Sequence, residues 1–209
     1  MKKAQIYRRK SGRLKHFTQE EVTLFLREAG RPKYHKRQGS KLDLLFNLMY
    51  YLGLRESEAV RIKLADFHKS PTGDMLTIRG LKDGLEMTYP LPDSFPKKIK
   101  TWLKNRKALH PDNPYLFPSE RKYPLGPASV DVVKKNFYEI CDKLGLTGRT
   151  PHSLRHTCAV LLIQDGHNAV RVQHWLRHKD LGSSQVYFSL VGDDKFKPAA
   201  MATLSKNVR

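Results

Sequence analysis

Two cysteines, Cys141 and Cys158, are the whole thiol content of this 209-residue chain, and they stand in no paired spacing. That excludes a disulfide scaffold and points to a reducing compartment. Long apolar runs are missing too. The richest, around Leu42 to Leu54, is interrupted by Asp43 and Asn47 and falls short of the roughly 20 residues that span a bilayer. Met1-Lys2-Lys3 leads into more charge rather than an apolar core, so no secretory signal is read and a cytoplasmic protein with no membrane partner is expected. Internal repeats and low-complexity segments are absent. Acids are scarce: 20 Asp+Glu face 39 Lys+Arg, a formal charge of +19. With 39% apolar residues the chain can bury a core, which excludes a disordered tail and fits one domain. A globular chain this basic usually meets a polyanion, most often nucleic acid, with an ordinary basic soluble protein as the bland alternative.

Residues 1–16 hold Lys2, Lys3, Arg8, Arg9, Lys10, Arg13 and Lys15 and no acid. A like-charge block of this kind reads as a flexible arm that grips phosphates, or else as a solubilising tail. Thr18 and Glu21 form a Thr-x-x-Glu capping box ahead of Val22, Phe25, Leu26 and Ala29 at helical spacing. Ser40 is read as the cap of the next helix, whose body LDLLFNLMYYLG is apolar nearly all round and therefore central and buried. Arg55 follows its Gly53 terminus, with Glu58 one turn on, where the two can pair. Residues 66–91 change character. Turns at Pro71–Asp74 and Gly80–Gly84 separate short β-prone runs, Met75–Ile78 and Leu85–Leu91, which predicts a small antiparallel sheet. Two more amphipathic helices are predicted over Pro92–Lys107 and Pro127–Leu144. The fold class expected is mainly α with a small antiparallel β-sheet.

The chain is organised around Pro151–Tyr187. His152 and Arg155 lie at i, i+3 on one helix face, with Pro151 at its start and Cys158, Ala159, Leu161, Leu162 and Ile163 on the apolar side. A second amphipathic stretch carries Val170, Val172, Trp175 and Leu176 and ends at His178, nine positions before Tyr187. An arginine, two histidines and a tyrosine gathered this way suit an anion. Metal is the sharpest competitor, because His152/His156 and His174/His178 both have i, i+4 spacing. The first pair lacks the Glu of H-E-x-x-H and no cysteine pair accompanies either, so no metal is expected.

HSLRHTCA, then LRHKDLGSSQVY, then LGLRESE at 52–58, resembles the signature of tyrosine recombinases, the integrase and invertase family: H-x-x-R, LGH, a tyrosine nine residues on, and an upstream arginine followed by an acid. The resemblance spans roughly residues 17–190. One position departs from it, Arg177 standing where the family usually has Gly. The resemblance implies a tyrosine-recombinase catalytic-domain fold over 17–190, following the basic arm over 1–16, and a tail over 191–209 that either docks in trans on a neighbouring subunit or folds back in cis on its own core. It is similar to the stand-alone catalytic domains of fimbrial phase-variation invertases, and no N-terminal clamp domain is expected before it.

By the same resemblance the catalytic set is Arg55, Lys82, His152, Arg155, His178 and Tyr187, with Glu58 in support. Two arginine forks suit the non-bridging oxygens of a phosphodiester in its transition state. Histidines hydrogen-bond phosphate or move protons near neutrality, Tyr187 attacks, and a turn lysine protonates the departing sugar oxygen. Fixed cations then supply the stabilisation without metal or other cofactor, and the covalent bond conserves the linkage energy without ATP. The implied partner is double-stranded DNA bearing specific recombination sites, bound by a homo-tetramer that is monomeric when free, with DNA-bending accessory proteins, in a bacterial or archaeal cytosol. Two alternatives stand beside it: a catalytically silent DNA-binding regulator of the same fold, and a type IB topoisomerase.

Overall fold

The computed structural model describes residues 15–31, 36–71, 73–80, 85–120 and 125–178, with the side chains of 36–38 excepted. Helix α2 (Lys36–Tyr51) is its axis. Leu44, Leu45, Phe46, Leu48 and Met49 are all buried, as a helix apolar on every side requires. Around it pack α1 (Gln19–Ala29), α4 (Phe95–Leu109) and α6 (His152–Gln164), while the one-turn α3 (Glu56–Ala59) continues from its end. Helix α5 (Val130–Lys143) closes against α1 and α3, and α7 (Ala169–Trp175) against α6.

Local chemistry sets the helix ends. The Thr18–Glu21 box is formed: Glu21 N–H donates to Thr18 Oγ1 at 3.1 Å, and Thr18 N–H to Glu21 Oε2 at 2.8 Å, a device that stabilises by about 1 kcal/mol. Ser129 and Asn168 cap α5 and α7. Ser40 departs from expectation. It lies inside α2, four residues past the helix start, and its Oγ accepts from Asn105 Nδ2 of α4 at 2.9 Å. A tertiary partner has replaced the capping role.

Three strands, β1 (Phe67–Ser70), β2 (Gly73–Ile78) and β3 (Met87–Pro90), form an antiparallel sheet in that order. The register places Leu76 opposite Tyr89, and both point into the core with no exposure. The architecture is mainly α with one small antiparallel sheet. Phe17, Phe25, Phe46 and Phe137 interlock with centroids 4.8–6.1 Å apart, joining the N-terminal segment, α1, α2 and α5. A second cluster of Cys158, Ala159, Ile163, Val172 and Leu176 fastens α7 to α6. Thr157 Oγ1 on α6 accepts the Phe17 N–H at 2.9 Å and donates to Ser153 O, so the helix with the His-x-x-Arg pair is tied to the segment that precedes α1.

Candidate functional site

Gly53 brings the first site segment to the second. Its φ of +57° suits glycine, and a Cβ there would meet Leu176 Cδ2 at 2.4 Å. The bare backbone therefore lets the turn after α2 lie directly on the turn after α7. Arg55 follows from the first turn, Arg177 and His178 from the second, and α6 passes behind both with His152 and Arg155.

Glu58 sits at the centre and is buried to 4% exposure. Its Oε1 accepts from Arg55 Nη1 at 2.8 Å, and its Oε2 from the Arg55 backbone N–H at 2.9 Å and from Arg177 Nη2 at 2.8 Å. Arg155 Nη1 stands 3.7 Å from the same Oε2, an ion-pair distance. One carboxylate thus serves three guanidiniums. Burial pushes the Glu58 carboxyl up, but Arg177, the Arg55 N–H and Arg155 overcome this and hold it below the ordinary carboxylate range.

The two expected clamp arginines differ. The Arg55 side chain is 40% exposed and reaches the surface. Arg155 is fully buried and donates to the carbonyl oxygens of Gly53 and Leu176, tying together the two turns that bear Arg55 and His178. His178 is buried to 6% exposure. Burial first, then the charges of Arg155, Arg55, His152 and Arg177, push its pKa down to about 4. His152 is lowered by burial and by Arg155. His156 stacks edge-to-face on His152 with centroids 4.5 Å apart and is pushed down to about 3, chiefly by burial. Both site imidazoles are therefore neutral near pH 7, each able to donate one hydrogen bond and accept another. His174 is exposed and His178 lies beyond the end of α7, so this pair does not share a helix face. Among the described residues, no group of three or more His, Cys, Asp and Glu is disposed to hold a metal ion.

Arg177 is the residue whose role the sequence did not reveal. Its φ is +56°, the only positive value among the described non-glycine residues, and an L side chain there costs about 1–2 kcal/mol. This explains why the resembling pattern has glycine at the position. Its guanidinium turns inward, over the Tyr89 ring at 5.3 Å, and donates to Tyr89 Oη, Trp175 O and Glu58. Tyr89 Oη donates to Trp175 O. Fully buried and with its pKa raised by burial, Tyr89 is unsuited to act as a nucleophile. The cue for Arg177 was present in the sequence as the single departure from the motif, but its direction was not.

Lys82, Tyr187, the arm residues Lys2, Lys3, Arg8, Arg9, Lys10 and Arg13, and the tail 191–209 lie outside the described residues. Lys15 is described and exposed. Beside Glu58 a cleft of about 390 Å³ is lined by Arg61, Lys63, Arg79 and Asp66, among others, with Arg79 paired to Asp66.

Comparison with known proteins bears on the family and the fold. The model of the phage integrase family matches residues 15–191. The tyrosine recombinase XerA of Pyrococcus furiosus is 31% identical over 196 residues, 93% of this chain and 64% of that protein. XerC of Chromobacterium violaceum is 35% identical over 147 residues, 70% of this chain and 47% of that protein. Among solved structures, the XerH site-specific recombinase bound to palindromic difH substrate in a post-cleavage complex superposes with a TM-score of 0.76 at 26% identity, covering 90% of this chain and 52% of that one. The chain thus spans about half to two thirds of the length of these relatives. The ordered motifs, the fold and these matches agree: the chain belongs to the phage integrase family, that of the tyrosine recombinases.

Proposed function

We propose that this chain is the catalytic part of a site-specific DNA recombinase that cuts and rejoins DNA through a 3′-phosphotyrosine link to Tyr187. The observation that carries the reading is the convergence on Glu58 of Arg55, Arg155 and Arg177, with His152 and His178 within their field. Three guanidiniums against one carboxylate leave net positive charge at a partly buried site. At about 4 Å and an effective dielectric near 20, a unit charge such as that of Arg55 attracts a phosphate by roughly 4 kcal/mol, against about 1 kcal/mol in bulk water, and the buried arginines behind it add their field from farther away. A fixed cluster of this kind therefore outweighs an exposed basic arm in stabilising the charge that develops at phosphorus.

In the proposed reaction Arg55 holds a non-bridging oxygen of the scissile phosphate. Arg155 lies behind it, fixing the two turns and adding its charge. His152 and His178, neutral in the free protein, hydrogen-bond the phosphate or move protons. Tyr187 Oη attacks phosphorus, the 5′-oxygen of the next nucleotide leaves with a proton from Lys82, and reversal by a second 5′-hydroxyl reseals the strand. The energy of the broken linkage stays in the phosphotyrosine, so neither metal nor ATP enters. The proposed partner is double-stranded DNA with specific sites, bound by four copies, with arm residues Lys2 to Lys15 gripping backbone phosphates and the tail docking on a neighbouring copy.

The test is product sequencing. The protein is incubated with a duplex carrying the DNA that flanks its own coding sequence, and junctions are read. New junctions with wild type and none with Tyr187→Phe support the proposal. Specific binding with no junction, nick or relaxation under any condition favours the silent regulator, and relaxation without junctions favours the topoisomerase.

A further inference from the structure

Arg177 is 2% exposed and so does not reach a substrate at the surface. It breaks two local rules at once, a left-handed backbone without glycine and a third guanidinium buried beside two others. Neither favours folding, since a buried charge is costly and the cluster has one carboxylate to answer three cations. An outlier kept against the fold points to function.

We infer that Arg177 is a positioning residue: it clamps the Glu58 carboxylate from the buried side, and through Glu58 it aims Arg55 at the substrate while tying the His178 turn to the Arg55 turn. Glu58 Oε2 receives two hydrogen bonds, from the Arg55 backbone N–H and from Arg177 Nη2. Arg155 does not substitute, because it stands at 3.7 Å from Oε2 while donating to Gly53 O and Leu176 O. With Arg177 removed, Oε2 keeps the Arg55 N–H but loses its side-chain donor, which loosens the carboxylate and with it the Oε1 bond that orients Arg55 Nη1. The same guanidinium lies within 3.4 Å of Leu52 O and Gly53 O, so it stitches the end of α2 to the residue next to His178. The groups facing Glu58 from other elements are Arg155 and His152 of α6 and Tyr89 of β3. Tyr89 holds Arg177 in place through its ring and hydroxyl.

This inference rests on the proposed function, and two readouts separate their failures. The first needs no DNA: ¹⁵N side-chain NMR of Arg55 Nε–Hε in full-length wild type, Arg177→Gly and Arg177→Lys, each shown to melt cooperatively. The second is the single-turnover rate of covalent adduct formation on nicked duplexes tiled from the DNA flanking the coding sequence, with duplex affinity measured alongside.

The expected result is an ordered Arg55 signal in wild type and a mobile one in Arg177→Gly. Duplex affinity should stay within about twofold while adduct rate falls at least about tenfold, and Arg177→Lys should recover part of both. An unchanged Arg55 signal, or an adduct rate within about twofold of wild type in folded Arg177→Gly, overturns the inference. Full activity of Arg177→Lys with a mobile Arg55 also overturns it, assigning the effect to charge alone. Should Arg177→Gly not fold, Arg177→Gln is read by the same criteria. If wild type forms no adduct, the proposed function fails and the NMR comparison still decides the positioning role.

Discussion

Arg55 and Arg155 are the same side-chain type used in two ways, one reaching the surface and the other wholly inside. Their conservative substitutions should therefore separate. Arg55→Lys keeps charge but loses the planar fork, and should lower the rate of covalent adduct formation by at least about tenfold with stability changed by less than about 1 kcal/mol. Arg155→Lys should lower the rate and also cost about 3–5 kcal/mol in denaturant unfolding, because it disrupts a buried charged network. Equal stability for the two variants would contradict the burial assigned here. The histidines set a pH dependence. Unfolded histidine takes up a proton near 6.5, whereas burial holds His178 neutral down to about 4. Between those values the unfolded state binds more protons, so stability is full above 6.5 and declines as pH falls toward 4. Glu58, with its carboxyl held low, adds a loss only at more acid pH. Denaturant midpoints measured from pH 7 to 4 should show the decline, and His178→Gln should make it shallower, with His152 and His156, lowered in the same direction, supplying the rest. Arg55, Glu58, His152, Arg155 and His178 were legible in the sequence because each sits in a short motif of local spacing. The inward turn of Arg177 was not, since it depends on a cavity made by Tyr89, Glu58 and Leu52, far away in the chain.

Among the elements, α2 and its end carry the site. An apolar helix followed by Gly-Leu-Arg was readable as a buried axis with a residue set at the core's edge. What one dimension hid was the contact partner: Gly53 is bare because Leu176 comes against it. Gly53→Ala should strain both the left-handed backbone and this contact, costing about 1–3 kcal/mol. It should depress cleavage too, since the Arg155 bridge runs through Gly53 O. Thermal denaturation beside adduct assays would check this, and a wild-type melting temperature would contradict the packing described. The sheet was legible from its turns. The one-turn α3 and the 3₁₀ turn Leu64–Asp66 were not, being too short for periodicity to register. Ser40 was misread because a cap-type residue found a better partner on α4.

At the scale of the whole molecule a charge of +19 favours association with any polyanion, while the proposed chemistry depends on a few fixed groups. Binding and cleavage should therefore come apart. Removing residues 1–16, with seven Lys/Arg, should weaken binding to all duplexes alike and reduce the slope of log affinity against log salt by several units, with adduct formation at saturating duplex persisting. An unchanged salt slope would make the arm a bystander.

The bond proposed between Tyr187 and DNA can be trapped directly. A nicked duplex from the gene-flanking DNA, whose short downstream fragment diffuses away after cleavage, traps the adduct. Nuclease and protease digestion followed by mass spectrometry then reads which peptide carries the nucleotide. The expected result is a 3′-phosphoryl nucleotide on Tyr187, lost in Tyr187→Phe while duplex binding is retained. A nucleotide on any other residue, or recombined products with none on Tyr187, would contradict it.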